Sequence, residues 1–245
     1  MYTKLKAFIR NNWPFYLTGF MAVLGLKCFY SQATVSELNW ILAPTVWWVR
    51  ALSGIPFLYE PYEGYVSHTY QFVIAPSCSG MQFMIITLAT LIFSFVHRMD
   101  TKKKKLCWMA GNLLASYVMT ILVNTVRIIL SIYLPLYLEK KSLSGGFLTP
   151  ERLHTLIGAF VYFTSLFLLY HLIGFIIHRP FIRCLPPVFF YLALILGVPF
   201  LNRAYKNNQE QFTEYAMLII CVCLAVLALF SLLKLFIRLF RRPTA

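Results

Sequence analysis

Long apolar runs, separated by short polar and mostly basic segments, set the pattern of this chain. The runs are Pro14–Tyr30, Gly80–Val96, Cys107–Leu134, His154–Ile177, Pro187–Leu201 and Tyr215–Phe236. A helix rises about 1.5 Å per residue and a hydrocarbon core is about 30 Å thick, so about 20 apolar residues cross it. Most of the runs suffice as they stand, and helix extension at both ends completes the fifth. The pattern therefore predicts six spans. A further apolar stretch, Trp40–Ser53, is too short to cross and holds Pro44 and Arg50. Its Trp40, Trp47 and Trp48 suit the membrane–water boundary, which predicts a short interfacial or re-entrant helix. Residues 64–75, ahead of the second run, are rich in β-branched and aromatic side chains. They read as a strand that Pro76 ends.

Composition agrees. Of the 245 residues 60% are hydrophobic and 12% charged, against about 25% charged in a soluble domain. The mean hydropathy is +0.70. One globular core cannot bury such an apolar surplus, so part of the solvent is lipid. The fold class that follows is an all-α polytopic membrane protein, read as a single integral membrane domain over residues 1–245. A net charge of +14 would fit nucleic acid, but the basic residues lie in short clusters between apolar runs, which is a topology signal. With six spans and both termini cytoplasmic, fourteen basic residues fall inside, among them Lys102 to Lys105, Arg179, Arg183, Arg241 and Arg242. Six fall outside: Arg50, Lys140, Lys141, Arg152, Arg203 and Lys206. Of the acids, only Asp100 is inside. Were Trp40–Ser53 to span, everything after it would invert and Lys102–Lys105 would face outward. The first run follows a basic start without a small-x-small cleavage site, so it reads as a retained helix.

Six cysteines are scattered along the chain. Cys28, Cys107, Cys184, Cys221 and Cys223 read as small hydrophobes. Cys221 and Cys223 point to opposite sides of a helix and make a poor metal site. No cofactor is called for. Cys78 differs, because it lies in Ser77-Cys78-Ser79-Gly80 where the extended segment hands over to the second span. In the first turn of a helix it would meet unpaired N–H groups and the positive dipole end, which favour thiolate. Two readings stand on local sequence: a nucleophile, or a helix cap whose cysteine fills space.

Arg127 lies late in the third run, near the outer face, and an ionisable residue in a span is a functional hypothesis by default. Asn124 is one turn back on the same side. The plainer reading is an arginine snorkelling to lipid phosphate. Thr149-Pro150-Glu151 has the form of a helix start: N-cap, proline at the first position, acid in the first turn. His154 follows about one turn inside, with Gly158 beneath it on the same face, leaving room for a neighbouring helix or a substrate chain. Its plainer reading is a boundary histidine bonded to headgroups. Three different helices thus bring a thiol, a guanidinium and an imidazole to one leaflet. Of the other histidines, His97, His171 and His178 lie at or near the inner face, and only His68 competes as base.

Ser77-Cys78-Ser79-Gly80, Asn124-Thr125-Val126-Arg127-Ile128 and His154-Thr155-Leu156-Ile157-Gly158 resemble, in order and placement, the motifs of the exosortase/archaeosortase family of prokaryotic membrane cysteine transpeptidases. The resemblance covers about residues 64–170. It implies Cys78 as nucleophile, His154 as proton-transfer residue and Arg127 as transition-state stabiliser, with Asn124, Ser79, Gly80 and Gly158 as supporting or substrate-binding residues. It implies tail-anchored secreted proteins with a C-terminal sorting signal as substrates and a lipid or glycan as acceptor. It also implies a prokaryotic cell membrane, with the site facing outward. Family members often carry Ala where this chain has Ser77, and many have about eight spans. A carboxylate to orient His154 is not obvious; Glu151 is nearest. From other classes stand a polytopic transporter and a lipid-modifying membrane transferase in which Cys78 is structural. A transporter calls for mid-membrane polar residues and repeat symmetry, which are sparse here.

Overall fold

The computed structural model describes residues 2–141, 149–177, 185–201 and 209–240, with side chains at all of these except 2–8 and 237–240. Cys184, His178, Arg179, Arg183, Arg203, Lys206, Arg241 and Arg242, which the sequence assigned to one face or the other, lie outside the described residues.

Helices dominate. In chain order they are α1 (Tyr2–Gln32), α2 (Asn39–Ser53), α3 (Met81–Phe95), α4 (Lys102–Lys140), α5 (Pro150–Ile176), α6 (Leu185–Leu192), α7 (Val198–Leu201) and α8 (Gln209–Phe240). A π-turn, Ala193–Gly197, joins α6 to α7. Among the described residues, four segments are long and apolar enough to cross a membrane: Pro76–Arg98, Lys102–Lys140, Pro150–Ile176 and Gln209–Phe236. Leu185–Leu201 is apolar but shorter. The first expected span lies within α1, which has 31 residues and contains Pro14.

The packing explains why α3 reads as apolar all round. It is the central helix, against α1, α4, α5 and α6, and its most apolar stretch is 83% buried whereas that of α8 is 22% buried. A helix buried on every side has no polar face to show. The outer helices instead display leucines, among them Leu113 and Leu114 of α4 and Leu229, Leu232 and Leu233 of α8, as chains solvated by lipid do.

At one end of the bundle Lys105 is buried, and its ammonium donates to Asn12 Oδ1 at 2.6 Å and to the Asn11 carbonyl at 3.3 Å. This ties the start of α4 to α1. Beside it the Tyr16 hydroxyl and His97 Nδ1 are 3.1 Å apart. The opposite end carries the sheet, the start of α3 and the start of α5. At about 1.5 Å per residue, the 39 residues of α4 run about 58 Å, well beyond a 30 Å core.

Trp40–Ser53 is helical as expected and forms nearly all of α2. It runs along α4, in the same direction: the Tyr117 hydroxyl donates to the Trp40 carbonyl at 2.9 Å and the Tyr133 hydroxyl to the Ser53 carbonyl at 3.3 Å. The expected single strand over residues 64–75 is instead two strands of a three-stranded antiparallel meander. Its members are β1 (Leu58–Glu60), β2 (Gly64–Ser67) and β3 (Phe72–Ile74), in that order. The polar stretch His68-Thr69-Tyr70-Gln71 turns the chain, with Gln71 at φ +50°, so that Tyr65 pairs with Ile74. Pairing two short strands satisfies backbone groups that one isolated strand would leave bare.

Candidate active site

The segment between β3 and α3 is built by its proline and glycine. Pro76 opens a single 3₁₀ turn, Pro76–Cys78, in which the Cys78 N–H donates to the Ala75 carbonyl at 2.8 Å. Gly80 follows at φ +79° and caps α3. A Cβ on Gly80 would lie 2.9 Å from Thr120 Cγ2 and 3.0 Å from Asn124 Cγ, so both the conformation and the close approach of α4 require glycine. The expectation that Cys78 sits in the first turn of the helix is corrected. Cys78 stands one turn ahead of α3 with its own amide already bonded, because Gly80 breaks the run. Its side chain is half-buried against the core formed by α2, the sheet and α4.

Asn124 joins this turn to the rest of the site. Fully buried, its Nδ2 donates to the Cys78 carbonyl at 2.7 Å, while its Oδ1 accepts from the Tyr162 hydroxyl at 2.7 Å. Arg127, one turn on, is 8% exposed. Its Nη1 donates to the Tyr162 hydroxyl at 3.3 Å and lies 3.5 Å from Asn124 Oδ1. The guanidinium also lies 5.3 Å from the Tyr162 ring centroid, and it interacts with the Cys78 side chain.

His154 completes the group from the first turn of α5. The helix starts as its residues dictate: Thr149 Oγ1 accepts from the Arg152 N–H at 3.3 Å, Pro150 takes the first position and Glu151 the first turn. Arg127 Nη2 and His154 Nε2 are 3.0 Å apart. A guanidinium only donates, so Nε2 accepts and the neutral ring carries its proton on Nδ1. Arg127 packs closely on Gly158, where a Cβ would lie 3.3 Å from Arg127 Nε and press the side chain back slightly. The room expected beneath His154 is thus taken up by the arginine of the neighbouring helix.

Arg127 interacts electrostatically with Cys78 and through Nη2 with His154. Among the described residues no carboxylate faces Arg127; its partners Asn124, Tyr162 and His154 are neutral groups. Its Nε is buried without a hydrogen-bond partner. Ser79 is fully buried, and its Oγ accepts from the Met81 N–H at 3.4 Å at the start of α3. His68 lies apart in the sheet turn, 3.4 Å from Glu60. Glu151 is exposed and forms no hydrogen bond to His154 among the described residues.

A cleft of about 170 Å³ opens beside the guanidinium. Its lining includes Ser77, Gln82, Arg127, His154, Thr155 and Tyr162, with Tyr191 and Ile195 across from them on the segment after α5 and Tyr215 on α8. Cys78 does not line it. The tyrosines were missed from sequence. Tyr162 was within reach of helix periodicity, because it follows His154 and Gly158 at steps of four on one face. Tyr191 and Tyr215 come from helices remote in sequence and carry no local signal.

The family model described as transmembrane exosortase matches residues 2–171, a stretch that holds Cys78, Asn124, Arg127, His154 and Tyr162. Neither a curated protein nor a solved structure gives a significant match.

Proposed function

The chain belongs to the transmembrane exosortase family, and from that membership we propose that it is a membrane-embedded cysteine transpeptidase. It cleaves the C-terminal sorting tail of secreted proteins at the outer leaflet and passes the new carboxyl end to a surface acceptor. The observation that carries this reading is a buried guanidinium, uncompensated by any described carboxylate, that lies 3.0 Å from His154 Nε2 and interacts electrostatically with Cys78. Burying a cation among neutral partners is expensive. The expense is understood if an anion arrives during turnover, and a tetrahedral oxyanion is such an anion.

A tail-anchored substrate diffuses laterally and presents its motif beside the turn that bears Cys78. Sγ attacks the scissile carbonyl carbon, and the oxyanion draws Arg127 towards itself. That movement releases His154 Nε2, which takes the thiol proton. The imidazolium gives this proton to the departing amine as the C–N bond breaks, leaving a thioester on Cys78. The acceptor then resolves the thioester with His154 as base. Asn124 holds the Cys78 backbone and the Tyr162 hydroxyl, and through Tyr162 it steadies Arg127. In the membrane the chain crosses six times, with α1 and the segment from α6 through α7 adding two crossings to the four longest apolar segments. Both termini are cytoplasmic and the site faces outward in a prokaryotic cell membrane.

The test is processing of a co-expressed tail-anchored substrate, read as a size shift on a gel with enzyme levels checked in the membrane. Cys78→Ala and Cys78→Ser are both expected to abolish the shift. Unchanged processing by Cys78→Ala would sink the thiol mechanism. One observation favours a second reading, a lipid-modifying transferase: Arg127 and His154 line the cleft and Cys78 does not. Under that reading Cys78→Ala stays active and Arg127→Ala does not.

A further inference from the structure

The cleft does not stop at His154. A second hollow, of about 320 Å³, is lined by Thr149, Glu151, Arg152 and Thr155 of the α5 start and by Gln211, Glu214, Tyr215 and Leu218 of α8. Thr155 and Tyr215 line both hollows, so the two adjoin between α5 and α8, and we read them as one passage with Arg127 in its inner part. Its α8 wall lies beyond residue 171, where the family match ends. The residues expected to do the chemistry are inside the matched region, and the wall facing them is not.

We propose that this α5–α8 passage is the acceptor site, and that it takes a hydroxyl-bearing acceptor. The inference rests on the transpeptidase reading. Cys78 faces the core of α2, the sheet and α4, whereas His154 faces the passage. A nucleophile entering between α5 and α8 reaches the cleft that His154 lines together with Ser77 and Gly80 of the Cys78 turn. The lining is hydrogen-bonding, with Glu151 and Glu214 set against Arg152. Arg152 Nε donates to Glu214 Oε1 across the passage, and Thr155, Gln211 and Tyr215 add hydroxyl and amide groups. Such a lining, offering donors and acceptors together, matches a neutral polyhydroxylated group. In the step itself the acceptor oxygen attacks the thioester carbon. The new C–O bond forms, the C–S bond breaks, the hydroxyl proton passes to His154, and it returns to Cys78 Sγ.

The experiment measures how the acyl-enzyme partitions. The full chain is co-expressed with a tail-anchored substrate, and the new C-terminus is analysed by mass spectrometry before and after mild alkali. The unmodified chain is expected to yield an alkali-labile ester adduct. Glu214→Gln and Tyr215→Phe are expected to lower the ratio of transferred to hydrolysed product by about tenfold, as loss of one good hydrogen bond does. Leu232→Ala, on the outward face of α8, is expected to leave the ratio alone. Where Glu214→Gln lowers membrane levels, Gln211→Ala at the exposed start of α8 serves the same reading. A ratio unmoved by these changes overturns the acceptor site, and an alkali-stable adduct overturns the hydroxyl class. Hydrolysed product alone from the unmodified chain overturns both parts of the inference. No cleavage at all refutes the transpeptidase reading beneath it, a different result from any of these.

Discussion

Among the described residues the hydrogen-bond partners of Arg127 are all neutral side chains. Asn124 and Tyr162 grip Nη1, His154 takes Nη2, and Gly158 lies against Nε. Removing the Tyr162 hydroxyl takes away a donor to Asn124 and an acceptor for Arg127 at once. Tyr162→Phe is therefore expected to slow processing by about 10- to 100-fold, the range for hydrogen bonds to charged groups, with membrane levels little changed. Time courses of substrate cleavage measure it. Arg127→Lys is expected to fail as a rescue, because an ammonium cannot reach Tyr162 and His154 with the fixed fork of a guanidinium. Cleavage by Arg127→Lys at more than a tenth of the normal rate would contradict that account. At this scale Cys78, Arg127 and His154 stood out in the sequence because each breaks the pattern around it. A buried arginine in an apolar run is costly wherever it lies. Tyr162 does not break any pattern, since a tyrosine in a membrane helix is ordinary, and its role appears only from what its hydroxyl touches.

The start of α3 is the element on which the site depends. Proline sets the turn, Gly80 at φ +79° breaks it from the helix, and α4 closes over the glycine. Gly80→Ala is expected to cost about 1–3 kcal/mol, from overpacking and an unfavourable backbone together, and to lower the thermal unfolding midpoint in detergent. Thr149→Ala, which removes the α5 cap, is expected to cost about 1 kcal/mol on the same measurement. The elements themselves were largely legible: the α5 start, the helix at Trp40–Ser53 and the handover at Pro76 follow from local residue chemistry. The paired strands were not, because a hairpin is decided by which partner strand is available. Nor was the position of Cys78 ahead of α3, since one residue's positive φ determines where a helix begins.

For the molecule as a whole, Lys102–Lys105 and the Cys78–Arg127–His154 group lie towards opposite ends of the bundle. Tyr62, 96% exposed beside the sheet, is accordingly expected outside the cell. Tyr62→Cys should gain labelling over the parent chain by a membrane-impermeant maleimide in intact cells, and Lys103→Cys should not. The reverse result would invert the topology. The sequence alone determined that the chain is a helical membrane protein, which residues break its apolar pattern and in what order they come. These properties follow from solvent transfer and helix rise, which act on each segment separately. Tertiary structure alone decided that Arg127 interacts with both Cys78 and His154, that Tyr162 and Asn124 hold it, and that α8 lines the cleft beside it. Such facts depend on how helices from distant parts of the chain pack around α3. A side chain's partner across a helix interface is set by that packing, and no period within a single helix encodes it.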